Sequence, residues 1–126
     1  MGLLVALMAL GYNTWRNELT EHNRNIRFAG FEMLLHASEL RRISYLAHYD
    51  RNSIEGNPRS GGVKVMIIRD LSMIMPASLQ AAADELHGTW EQEWQGLGSD
   101  NDSIMAIEMA LDAVRAGILE TLEELE

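Results

Sequence analysis

Residues 5–47, VALMALGYNTWRNELTEHNRNIRFAGFEMLLHASELRRISYLA, decide the fold. Val5, Met8, Tyr12, Trp15, Leu19, His22 and Ile26 recur in alternating steps of three and four. The same stripe continues through Ala29, Met33, His36, Leu40, Ile43 and Ala47. That spacing brings every member to one side of an α-helix. No proline falls between Gly2 and Asp50, so nothing forces a break.

The stripe changes character near Phe28. After an apolar tip, Asn13, Asn17, Glu18, Glu21, Asn23, Arg24 and Asn25 cover the other faces of the helix. From Phe28 onward a second apolar set joins at helical spacing, namely Phe28, Phe31, Leu35, Tyr45 and Tyr49. A helix apolar on two sides is expected to have partners around it. The chain therefore divides into an apolar tip and coiled-coil stalk over residues 1–27 and a helical bundle over residues 28–126. The stalk seam of Tyr12, Trp15, Leu19, His22 and Ile26 is the part that must look outside its own chain, so a homo-oligomer is expected through it. His22 and His36 occupy equivalent heptad positions, where a polar side chain commonly sets register.

The tip itself, residues 3–10, is LLVALMAL. A membrane-spanning helix needs about 20 such residues, so this run is about half of one. No Lys or Arg precedes it and no small-residue cleavage site follows, which argues against a secretory signal. Tyr12 and Trp15 stand where interfacial aromatics collect, and Arg16, Arg24 and Arg27 come next. The expectation is a partial membrane anchor, single-pass, with the body on the cytoplasmic side by the positive-inside rule.

The rest of the chain reads as shorter helices. Residues 51–62, RNSIEGNPRSGG, form the main loop by composition. Val63, Ile67, Leu71 and Ile74 give the inward face of a second helix, which Pro76 breaks or kinks. Leu79, Ala83, Leu86, Trp90, Trp94 and Leu97 face inward on the next. Past a turn at residues 96–102, with Asp102 or Ser103 as cap, Ile104, Ile107, Leu111, Val114, Ile118, Leu122 and Leu125 line the last. The predicted fold is all-α, an up-and-down helical bundle of three to four helices with a long N-terminal stalk helix. Its 126 residues suffice for one core, and eight methionines against two prolines suit helices.

Chemistry is sparse. A net charge of −9 argues against nucleic acid as a partner, and the absence of cysteine removes disulfides and thiolate sites. The loop glycines Gly56 and Gly61 have P-loop separation, but Gly62 stands where the lysine belongs. Glu32, His36 and Glu39 share a helical region without the Glu-x-x-His pairing of a di-metal bundle. Arg41, Arg42, Arg51 and Arg59 read as ion-pair partners. Trp90 and Trp94 read first as core, with partner contact as their functional alternative. No cofactor, metal or catalytic group is expected.

The function expected from the sequence is a non-enzymatic, membrane-anchored oligomerisation and protein-interaction module with an unidentified protein partner. The alternatives are a ligand-sensing bundle of the membrane-receptor type, with a pocket near Phe31, Tyr45, Trp90 and Met109, and a metal-binding four-helix oxidoreductase.

Overall fold

The computed structural model describes residues 2–125; Met1 and Glu126, the outer ends of the two expected regions, lie outside them. The heptad stripe folds as one helix, α1 (Gly2–His48), 47 residues long. At 1.5 Å per residue that is about 70 Å. Three shorter helices follow: α2 (Pro58–Leu71), α3 (Ala77–Glu93) and α4 (Asn101–Glu124). One turn of 3₁₀ helix trails α2 at Ser72–Ile74, and another trails α3 at Trp94–Gly96. Among the described residues there is no strand. The fold is the expected all-α bundle: α1 and α3 each pack against both α2 and α4.

The helix starts follow their capping chemistry. Asn57 accepts the backbone N–H of Arg59 at 2.9 Å, and Pro58 occupies the first turn, where its missing N–H costs nothing. The main loop therefore ends at Asn57, five residues earlier than its composition suggests. Gly61 and Gly62 lie inside α2. Asp100, two residues ahead of the expected cap, accepts the N–H of Asp102 at 2.9 Å and opens α4. Pro76 precedes α3, and the chain turns there rather than continuing α2.

Ile26, Met33 and Leu40 of α1 meet Val65 and Ile68 of α2, Leu79, Leu86 and Trp90 of α3, and Ile107, Leu111, Val114 and Ile118 of α4 in a single core. The inner faces of α3 and α4 are largely those read from the sequence. Two expectations are corrected. On α2 the buried face is Gly61, Val65 and Ile68, continued by Ser72 and Met75; Val63 and Ile74 are exposed. The β-branched run offers two interleaved apolar faces, and the one that lets Gly61 pass beneath Trp90 is chosen. On α1 the second apolar set faces solvent, with Phe28, Phe31, Leu35, Tyr45 and Tyr49 all exposed. A helix in a four-helix bundle touches two neighbours and the interior, so its outer face stays uncovered.

The core face of α1 outruns the body. Ile26 is its first buried residue, and every described residue before it is exposed apart from half-buried Asn23. The overhang of residues 2–25 reaches about 36 Å. Among the described residues no helix is long and apolar enough to cross a membrane.

Candidate functional site

Two regions hold side chains that the core does not use. The first is the overhang. Trp15 is 57% exposed and Leu19 45%, and Tyr12 and His22 are exposed too. The rings of Tyr12 and Trp15 lie 6.1 Å apart between centroids, and the Arg16 guanidinium lies 6.0 Å from the Tyr12 centroid. A cation at that range is attracted by the ring face. Ile26, the last of the expected seam, is buried in the core of its own chain. His22 and His36 are separated in environment: His22 faces solvent, whereas His36 sits inside an ion cluster of the body.

That cluster contains the candidate metal ligands. His36 Nε2 lies 3.7 Å from Glu32 Oε2, and His36 Nδ1 lies 3.6 Å from Glu39 Oε2. The Lys64 ammonium from α2 pairs with the same Glu39 carboxylate and stands 3.4 Å from His36 Nδ1. Lys64 holds the Glu39 carboxyl below its ordinary value, chiefly through its hydrogen bond and against the opposing effect of burial. A fixed ammonium occupies the place a cation would need. Among the described residues no group of three side chains could hold a metal.

Of the four arginines, Arg41 pairs with Asp112 at 2.6 Å and Arg42 with Glu55 at 3.3 Å. Arg51 forms no ion pair among the described residues.

The second region is a cleft at the loop end of the bundle, with a volume of about 530 Å³. It forms where the connection from α1 to α2 faces the connection from α3 to α4. Arg51, Asn52, Ser53 and Pro58 line one side, and Trp94, Gln95, Leu97, Gly98 and Ser99 the other, with Ala47 between them. The buried His48 ties the two sides together. The Gly98 N–H donates to His48 Nδ1 at 2.9 Å, and His48 Nε2 stands 2.9 Å from Asn101 Oδ1. With Nδ1 accepting, the ring proton sits on Nε2 and is donated to Asn101.

The structure parts the two tryptophans. Trp90 is buried against Gly61, which removes it as a partner contact, while Trp94 is 37% exposed and walls the cleft. The pocket expected near Phe31, Tyr45, Trp90 and Met109 does not form, because Phe31 and Met109 are on the outside and Trp90 is inside. The cleft was not read from the sequence. Its signals were two turn-rich stretches, around Asn52–Gly56 and around Gly96–Ser99, and nothing local pairs one with the other. The chain matches no protein-family model, no curated protein and no solved structure.

Proposed function

We propose that the chain is a non-enzymatic interaction module. Its stalk self-associates, its apolar tip holds it at a membrane with the body on the cytoplasmic side, and its body meets a protein partner. The observation that carries this reading is the overhang of α1, where Leu3, Leu4, Val5, Leu7, Met8, Leu10, Tyr12, Trp15 and Leu19 are all exposed. The body has completed its core without them. An apolar surface that continues past a finished core favours a second apolar surface to cover it.

The two parts of the overhang suit different covers. Residues 3–10 are apolar on every side, the pattern of a helix immersed in an apolar medium. From Tyr12 to His22 one seam is flanked by polar residues, the pattern of helix pairing. Sedimentation velocity on the full chain in mild detergent tests the association, and flotation with phosphatidylcholine–phosphatidylglycerol vesicles tests the tip. The expected results are a dimer or larger oligomer and comigration with vesicles. A strict monomer with an intact stalk overturns the association, and protein left at the bottom of the gradient overturns the membrane contact.

A further inference from the structure

The loop-end cleft has the makings of a ligand site, independently of what the stalk does. Its lining carries one cation, Arg51, and no carboxylate, in a chain whose net charge is −9. Nearby acids are engaged elsewhere: Glu55 with Arg42, Glu93 with the Ser103 hydroxyl, and Asp100 with the N–H of Asp102. Asn52 commits its Oδ1 to the N–H groups of Ile54 and Glu55, which leaves its amide N–H groups to donate. The volume of about 530 Å³ lies within the range of small-molecule pockets.

The backbone supports the same assignment. Arg51 has φ of +50°, the one positive φ outside glycine among the described residues. The left-handed region is unfavourable for a side chain that cannot bond locally to offset it. Such outliers concentrate at functional sites. The stem of Arg51 packs toward Gly98, and His48 fixes Gly98 from the other side. Cation and opposite wall are thus held by the same contacts.

We propose that this cleft binds a small aromatic carboxylate, with the carboxylate on the Arg51 guanidinium and the ring against Trp94 between Pro58 and Leu97. A guanidinium fork matches a carboxylate through two parallel hydrogen bonds. A single cation in an acidic protein suits a monoanion better than a phosphate dianion. The exposed indole and the two apolar walls call for a flat apolar body on the ligand.

Titration of the full chain with 1-naphthoate and with indole-3-acetate, followed by calorimetry and amide NMR, tests the site. Saturable binding is expected for at least one of them, with shifts at the Gly98 N–H and the Trp94 indole N–H. The uncharged 1-naphthamide should bind about tenfold or more weakly than 1-naphthoate, because it lacks the anion. Arg51→Asn should weaken the carboxylate by a similar factor without lowering Tm, since Asn tolerates the left-handed region. Trp94→Leu should weaken it while keeping the helical circular dichroism. Failure of both carboxylates to saturate up to about 10 mM overturns the proposal. So does equal affinity for the amide, undiminished binding by Arg51→Asn, or shifts centred away from Gly98 and Trp94.

Discussion

The indole of Trp90 on α3 fills the space in front of Gly61 on α2, so that a Cβ placed on Gly61 would overlap ring atoms Cζ2 and Cη2. The ring is 5% exposed and has nowhere to retreat. Gly61→Ala is therefore expected to destabilise the fold by about 1–3 kcal/mol through overpacking, even though alanine is the better helix former. Gly30 makes the contrast. Its Cβ would meet Leu122 Cδ2 at 2.9 Å, the mobile end of a half-buried side chain. Gly30→Ala should be neutral or stabilising by up to about 1 kcal/mol. Urea unfolding of the two variants checks both; equal losses would refute the packing argument.

His48 joins the C-terminal end of α1 to the turn before α4. His48→Ala removes the acceptor of the Gly98 N–H and the donor to Asn101 together. A cost of about 1–3 kcal/mol is expected from the groups left without partners. Hydrogen exchange should show the Gly98 amide losing protection first, ahead of the core of α3.

The stalk should be separable from the stability of the body. Trp15→Ser and Leu19→Ser change residues with no core contact, so thermal unfolding of the body should shift by less than about 0.5 kcal/mol. Ile26→Ser, one heptad beyond Leu19, places a hydroxyl in the core and should cost about 2 kcal/mol or more. If all three behave alike, the boundary at Ile26 is misplaced.

Acid stability should carry the mark of Lys64 on Glu39. The folded carboxyl titrates below its ordinary value, so its contribution is complete above that value, about pH 4.5. It is lost as pH falls through the lowered folded value. Glu39→Gln should flatten the fall in stability below about pH 4.5. The carboxylate side chain is 40% exposed, so screening limits the effect to about a few tenths of a kcal/mol. An unchanged slope in acid titration of the variant would show that the pair contributes nothing.

Helix periodicity was legible wherever one apolar face dominated. Leu79, Ala83, Leu86 and Trp90 on α3, and Ile104, Ile107, Leu111, Val114 and Ile118 on α4, are buried as their spacing requires. It failed where two faces competed. On α2, Val63 and Val65 are equally apolar, and only the fit of Gly61 beneath Trp90 selects Val65. On α1, Phe28 and Phe31 are as apolar as Met33, but the neighbouring helices meet only the face that carries Met33.

The sequence by itself determined that residues 2–48 form one helix, because uninterrupted heptad spacing without proline is a local property of the chain. Its proline, glycine and capping residues likewise determined that three more helices follow. Only the tertiary structure decided where along α1 the core begins, which of two apolar faces is buried, and that Arg51 and Trp94 line one cleft. Those outcomes depend on contacts between residues distant in sequence, and the spacing of side chains along one helix contains no measure of what stands across from it.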